Sequence, residues 1–356
     1  MRIVVGMSGG VDSSVAALML KRQGHDVVGV FMVNWEEQED GLCPAVEDYE
    51  DVRRSCDIIG IPYYTVNFAK AYRERVFAQF LREYQAGRTP NPDVLCNKEI
   101  KFKAFLDFAL KAEADLMATG HYARLHQTND GVQLLKGLDA NKDQSYFLCE
   151  LDQGQLQKAL FPLGDKDKGE VRALAAEAGL PNAQKKDSTG ICFIGERNFN
   201  QFIAQYIQGQ PGDMIDIDTG RIAGRHQGLA FHTIGQRKGL QLGGPGAAWF
   251  AVDKDAARNI LYIAQGERHS ALFAHGLETE GFHWIGQPPK LPYRAAVKIR
   301  YRQKDVPCLV TEGEKGLFLE FDSPQRAVTP GQYAVLYQGD ICLGGGVIGK
   351  AHKEKG

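Results

Sequence analysis

The chain has 356 residues, of which 44% are hydrophobic and 24% are charged, and its formal net charge is −2. This length exceeds that of one ordinary core and predicts two or three domains of a soluble globular protein. No run of 18 apolar residues is present, and the first ten residues lack the apolar region of a secretory signal, so we expect a cytoplasmic protein that does not enter a membrane.

The cysteines indicate a reducing compartment. There are seven, an odd number, and they are widely scattered. They are Cys43, Cys56, Cys96, Cys149, Cys192, Cys308 and Cys342. No pair has the spacing of a zinc site, so neither a disulfide framework nor a resident metal is predicted.

The first part of the chain alternates apolar runs with amphipathic segments. The predicted strands are "RIVVG", "DVVGVFMV", "YYTVNF" and the start of "ADLMATGHYARL". The predicted helices cover residues 12–23, 46–59, 71–86 and 98–111. Strands that alternate with helices of this length indicate an α/β fold with a parallel sheet covered on both faces.

The sequence pattern changes after about residue 208, where glycine-rich turns separate short strand-like runs. Such spacing is typical of small β-barrels. We therefore predict an α/β domain over residues 1–200, a small central domain over 201–275 and a C-terminal β-barrel over 276–356.

The stretch "VVGMSGGVDSSVAA" carries a strand directly into Ser8-Gly9-Gly10, and Asp12 then opens a helix. Glycines allow a phosphate to approach the backbone, and a helix N-terminus supplies N–H groups and a positive dipole. The stretch matches neither the Walker loop nor the dinucleotide fingerprint, and no lysine follows the glycines. The alternative is a tight strand-to-helix turn with a polar cap.

This stretch closely resembles the SGGxDS pyrophosphate loop of the N-type ATP pyrophosphatases (PP-loop enzymes). The resemblance implies ATP cleavage between the α and β phosphates, assisted by Mg²⁺. It also implies that ATP is bound by the loop, by the residue where adenine rests and by a glycine after a later strand. These residues are Gly6, Met7, Ser8, Gly9, Gly10, Val11, Asp12, Ser13, Met32 and Gly120. For Met32, core packing remains the alternative.

Two cysteines stand in unusual surroundings. Cys96 follows "TPNPDVL" near the start of a predicted helix, where the helix dipole and nearby lysines favour a lowered thiol pKa. Cys192 follows a Ser-Thr-Gly turn in "DSTGICFIGERNF". For a single cysteine, a small core residue is the alternative reading.

Together the loop, "TPNPDVLCN" and "DSTGICFIGERNF" resemble the tRNA-specific 2-thiouridylases, called MnmA in bacteria, and the resemblance runs nearly end to end. It implies replacement of O2 by sulfur in the wobble uridine of tRNA(Lys), tRNA(Glu) and tRNA(Gln). By this resemblance Cys192 carries a persulfide, Cys96 attacks it to leave a disulfide, and Asp93 acts as acid and base. The implied partners are tRNA and a sulfur-relay or cysteine desulfurase donor, and we expect a monomer.

The resemblance also implies a set of tRNA-contacting residues. They are Asn91, Pro92, Asp93, His121, Lys142, Asp143, Gln144, Arg300, Tyr301 and Gln332. Around two of them the stretch 287–304 is basic and lacks acids, and alternation predicts that Lys298, Arg300 and Arg302 share one strand face suited to phosphates. A solvated strand or loop is the alternative for these basic positions.

Three other functions stay open on the residues alone. A PP-loop ligase of another kind would have no use for Cys96 and Cys192. A tRNA-binding protein without chemistry would not need the intact loop and both cysteines. A metal-cluster variant would use Cys96, Cys192 and Cys43 as ligands for iron and sulfur.

Overall fold

The structure is a computed structural model that describes residues 1–35, 44–187 and 199–353. Its N-terminal part alternates strands with helices. The strands are β1 (Arg2–Met7), β2 (Asp26–Val33), β3 (Tyr63–Asn67), β4 (Leu116–Ala118), β5 (Ala123–Thr128), β6 (Gly131–Lys136) and β7 (Ala159–Leu160). The helices are α1 (Val11–Arg22), α2 (Pro44–Ile59), α3 (Ala69–Tyr72), α4 (Ala78–Gln85), α5 (Pro92–Cys96), α6 (Leu106–Lys111), α7 (Gln153–Gln157) and α8 (Lys168–Glu177), with π-helical segments at Arg73–Phe77 and Asn97–Phe105. Among the described residues, no helix is long and apolar enough to cross a bilayer.

The first sheet is parallel and has the strand order β3-β2-β1-β4-β7. β1 lies at its centre, and after the exposed Arg2 its residues are buried and carry no charge because both faces of the sheet are covered. Ile3 and Val5 pack with α1, α2 and α8 on one face, while Val4 packs on the other with Phe102 and Phe105. The predicted α/β fold with a doubly covered parallel sheet is confirmed.

The helix predicted over residues 98–111 begins earlier, at Pro92, and runs through the π-helical segment into α6. Its start is fixed locally, because the Asn91 side chain accepts a hydrogen bond from the Asp93 amide at 3.2 Å. Pro92 follows the cap at a position where its missing N–H costs nothing. Asp93 and Cys96 therefore lie on the first two turns of a long, well-packed helix.

The rest of the chain is mainly β-structure. It contains α9 (Phe199–Ala204), β8 (Gly212–Asp216), β9 (Ile222–His226), β10 (Trp249–Asp255), β11 (Ile260–Gln265), β12 (Phe273–Trp284), β13 (Tyr293–Lys298), β14 (Val306–Glu312), β15 (Leu317–Arg326), β16 (Tyr333–Gln338) and β17 (Ile341–His352). β8 to β11 form a sheet of order β10-β11-β8-β9. β12-β15-β14-β13-β16-β17 close into a barrel through β12 and β17, which confirms the predicted C-terminal barrel.

Two features join the barrel to the α/β domain. The hairpin of β5 and β6 extends the barrel sheet, because Leu134 and Leu135 pair with β17. The segment 87–93, which precedes and begins the long helix, lies against the barrel turn between β15 and β16. Here the Thr89 amide donates to the Pro330 carbonyl at 3.0 Å, and Gln332 Nε2 donates to the Thr89 carbonyl at 2.8 Å.

The central sheet contacts the same segment. Lys254 Nζ, on β10, donates to the Gly87 carbonyl at 2.8 Å, and burial lowers the pKa of Lys254 to about 8. Thr233 Oγ1 lies 3.3 Å from Thr89 Oγ1. The seven residues 87–93 therefore contact all three structural units of the protein.

This contact generates a stability prediction at Gly331, whose φ is +94° and where a Cβ would lie 2.9 Å from the Thr89 backbone. Gly331→Ala combines a left-handed backbone with a backbone clash, so we expect the free energy of unfolding to fall by roughly 2–4 kcal/mol. Gly339 is the matched control, since its φ is +58° and a Cβ there would meet nothing within 4 Å. Gly339→Ala should lower the free energy of unfolding, measured by urea denaturation, by only about 1 kcal/mol. Equal losses would contradict the tight packing of Thr89 on Gly331.

Candidate functional site

Hydrogen bonds among its own residues fix the conformation of the loop between β1 and α1. The Ser8 amide donates to Ser13 Oγ at 3.1 Å, and Ser13 Oγ donates to the Gly10 carbonyl at 3.1 Å. Gly9 has φ +78°, and a Cβ there would lie 2.7 Å from the Asp48 backbone. The first-turn amides of α1 have no partner inside the helix, and an anion is the ligand they suit.

A second element holds the loop from behind. Asn182 Nδ2 donates to the Gly9 carbonyl and to Ser14 Oγ, both at 3.0 Å, and Asn182 is buried. Sequence reasoning missed this residue because it follows α8, far from the loop in the chain.

The other predicted nucleotide residues lie at the same edge of the sheet. Gly120 follows β4, and a Cβ there would lie 2.7 Å from the Ser13 amide nitrogen. Met32, on β2, is 3.3 Å from where a Cβ of Gly6 would stand. Met32 also packs against the buried core, as the alternative of core packing predicts. The roles of these residues toward ATP stay predictions.

His121 and Lys101 join the strand edge to the long helix. His121 is buried, with Nδ1 2.7 Å from Thr119 Oγ1 and Nε2 3.4 Å from Lys101 Nζ. Because an ammonium only donates, Nε2 accepts and the proton of the neutral ring lies on Nδ1. Burial, followed by the charge of Lys101, holds the pKa of His121 well below its usual range.

Asp93 faces the same lysine. Burial raises the pKa of the Asp93 carboxyl above its ordinary value, and the positive charge of Lys101 opposes that rise. A carboxyl in this state exchanges a proton more readily near neutral pH than an ordinary aspartate. Asp93, Lys101 and His121 therefore form one electrostatically coupled group beside the nucleotide loop.

Cys96 lies one turn after Asp93 on the same helix and is only 4% exposed. Its predicted partner Cys192 and the residue Cys43 lie outside the described residues, so the disulfide and the metal-cluster readings stay untested. Within the described ranges no group of three or more His, Cys, Asp or Glu side chains is arranged to hold a metal ion. Four further cysteines are fully buried, as expected of small core residues. They are Cys56, Cys149, Cys308 and Cys342.

An ion network beside the loop was not predicted. Lys168, the first residue of α8, contacts both oxygens of Asp12 at 2.7 and 2.8 Å and Asp187 at 2.7 Å. Tyr122 donates its hydroxyl proton to Asp12 at 2.7 Å. Lys142 pairs with Asp187. Burial raises the pKa of Asp187, but Lys142 and Lys168 outweigh it and the pKa is lowered. No local pattern joins residues this far apart in the chain.

Residues 142–144 are all predicted to contact tRNA, but their side chains face different surroundings. Lys142 points to Asp187 at the nucleotide loop. Asp143 is buried, and its carboxylate accepts from the Gly137 and Ser145 amides. Gln144 Oε1 accepts from the Tyr122 amide at 3.0 Å. Contact of these residues with tRNA stays a prediction.

The predicted row of basic side chains on one strand face is wrong. β13 ends at Lys298, and residues 299–302 form a turn. Lys298 points inward, is 8% exposed and pairs with Asp143 at 3.2 Å. Arg300 donates to the Ala327 carbonyl at 2.6 Å, and the Tyr301 ring lies 4.4 Å from that of Phe147. Alternation failed because the strand stops where the barrel meets the α/β domain.

The side chain of Gln332 forms hydrogen bonds within the protein, donating to the Thr89 and Pro90 carbonyls at 2.8 and 3.2 Å. It therefore holds the main chain just before Asn91 and Pro92. Its predicted contact with tRNA, like those of Asn91, Pro92, Arg300 and Tyr301, stays a prediction.

Comparisons with known proteins agree with this arrangement along the whole chain. Residues 1–196 match the family model described as tRNA methyl transferase HUP domain, residues 200–265 the tRNA methyl transferase PRC-barrel domain, and residues 274–348 the aminomethyltransferase beta-barrel domain. The chain is similar to the tRNA-specific 2-thiouridylase MnmA of Alkaliphilus oremlandii, with 56% identity over 98% of this chain and 96% of the relative. The enzyme of Shouchella clausii is 56% identical over 99% and 98%, and that of Staphylococcus aureus 54% over 100% and 97%. This chain therefore belongs to the tRNA-specific 2-thiouridylase family.

Proposed function

We propose that this protein is an ATP-dependent tRNA-uridine 2-sulfurtransferase that makes 2-thiouridine at the wobble position of tRNA(Lys), tRNA(Glu) and tRNA(Gln). The observation that carries the proposal is the match to 2-thiouridylases over at least 98% of the chain at 54–56% identity. The geometry supports it as well, because the loop, whose free helix amides suit an anion, lies against Gly120. The neighbouring His121 contacts Lys101, on the helix that also carries Asp93 and Cys96.

The first step uses the loop. The uridine O2 attacks the α-phosphorus of ATP, the bond to the β-phosphate oxygen breaks, and pyrophosphate leaves into the amides at the start of α1. Asp12 would hold the Mg²⁺ that accompanies the phosphates, which fits because Mg²⁺ takes one or two carboxylates together with phosphate oxygens. When bound, Mg²⁺ supplies charge neutralisation of the phosphates.

Asp93 moves the proton that this step requires. Its carboxylate accepts the uridine N3 proton while O2 is adenylated, and returns it when sulfur has attacked C2 and AMP departs. The raised pKa of Asp93 suits a group that must both accept and return a proton. The ammonium of Lys101 balances the charge of the Asp93 carboxylate without taking the proton.

The sulfur step needs two thiols. The terminal sulfur of a Cys192 persulfide attacks C2 and forms the new C–S bond, and the C2–O bond to AMP breaks. The Cys96 thiolate attacks the Cys192 sulfur, which cleaves the persulfide and leaves a Cys96–Cys192 disulfide. A cellular thiol reductant then reduces that disulfide, and a sulfur-relay or cysteine desulfurase protein reloads Cys192.

The direct test incubates the protein with unmodified tRNA(Glu), ATP, Mg²⁺ and a persulfide donor, followed by nucleoside mass spectrometry. We expect 2-thiouridine from the wild type and none from Cys192→Ser, which should still release pyrophosphate because adenylation does not use the thiol. Cys308→Ala, a change within the barrel core, is the control and should keep thiolation. Cleavage of ATP by the wild type without thiolated tRNA would contradict the proposed acceptor.

The role of Asp93 predicts a shift in pH dependence. Lys101→Met removes the charge that lowers the Asp93 pKa, so the carboxyl stays protonated to higher pH and the acidic limb of the single-turnover thiolation rate should move to higher pH. Lys103→Met is the matched control, because Lys103 is exposed and pairs with Glu99 at 3.0 Å on the same helix. An unchanged acidic limb in Lys101→Met would exclude Asp93 as the titrating base.

A further inference from the structure

The nucleotide loop lacks the lysine that other phosphate loops carry, yet the fold brings one to it from elsewhere. Lys168 lies 156 residues beyond Asp12 in the chain, and its ammonium contacts both Asp12 oxygens. Its side chain is 13% exposed, so it is largely enclosed at the mouth of the loop. The lysine therefore stands beside the first turn of α1, where the phosphates would lie.

The backbone of Lys168 is held firmly. Asp167 caps α8, accepting from the Glu170 amide at 2.8 Å, while the Glu170 side chain accepts from the Asp167 amide at 2.9 Å. This reciprocal capping box fixes the first residue of the helix. Only the flexible side chain of Lys168 is then left to move when a ligand enters.

The charges around Lys168 favour an anion. Lys168, Lys142 and Arg172 are cations, and the carboxylates they contact here are Asp12 and Asp187. Asp139 also accepts a hydrogen bond from the Lys168 amide at 3.2 Å. Three positive charges thus face three negative ones, next to a helix N-terminus that is itself positive. A polyphosphate entering the loop would meet a net positive surface once its own Mg²⁺ had occupied Asp12.

We propose that Lys168 is a phosphate-binding residue whose ammonium transfers from Asp12 to the β- and γ-phosphate oxygens when the nucleotide binds. Asp187, held by Lys142 and Arg172, keeps the lysine at the loop during this exchange, and Asp12 becomes available to the magnesium ion. This inference rests on the proposed ATP-dependent function and names a residue that completes its phosphate site.

The test is calorimetric titration of the full-length protein with magnesium pyrophosphate and, separately, with AMP. Lys168→Met should weaken pyrophosphate binding by about tenfold or more, as expected for loss of a charge-assisted hydrogen bond, while AMP binding stays within about twofold. Lys168→Arg should recover part of the pyrophosphate affinity because it keeps the charge. Lys166→Met is the matched control and should bind as wild type, since Lys166 pairs with Glu170 on the outer side of the same region.

Each outcome decides the proposal. Wild-type pyrophosphate affinity in Lys168→Met would overturn it and leave the proposed thiolation intact. Equal weakening of pyrophosphate and AMP would also overturn it, because a lysine that only supports the fold of the loop affects both ligands. Failure of the wild type to bind either ligand would overturn it together with the ATP-dependent step.

Discussion

The structure depends on how the segment 87–93 is docked. Its main-chain groups are bonded to residues of the other two structural units: Pro330 and Gln332 from the barrel, and Lys254 from the central sheet. Because each bond is made to a backbone group of the segment, the bonds fix the path of its main chain directly. Pro92 then starts a helix whose direction is already set, and that helix carries Asp93, Cys96 and Lys101.

One continuous series of contacts follows from this docking. Along the helix, Lys101 reaches His121, which follows β4 next to Gly120, and Gly120 lies against the first turn of α1. The nucleotide loop and the group of Asp93, Lys101 and His121 are therefore held at the same sheet edge. The barrel, which is distant from the loop in the chain, fixes the path of the segment that leads into this helix.

Local features were predictable from the sequence, and long-range ones were not. The buried run of β1, the glycine turn and α1 are encoded by neighbouring residues, as is the Asn91-Pro92 start of the long helix. Lys168 and Asn182 reach the loop only through packing of α8 on α1, which leaves no local pattern. Lys298 shows the opposite failure, since its alternation indicated an exposed face, whereas the tertiary contact with Asp143 turns it inward.

The central claim is that the barrel fixes the path of residues 87–93, and hydrogen exchange in the free protein tests it most directly. Gln332→Ala removes the bonds to the Thr89 and Pro90 carbonyls. Gln338→Ala is the control, because it changes an exposed glutamine at the far end of β16, the strand that follows Gln332. We predict faster amide exchange in peptides covering residues 87–97 in Gln332→Ala alone, with α1 unchanged in both variants. Unchanged protection of that segment in Gln332→Ala would contradict the account.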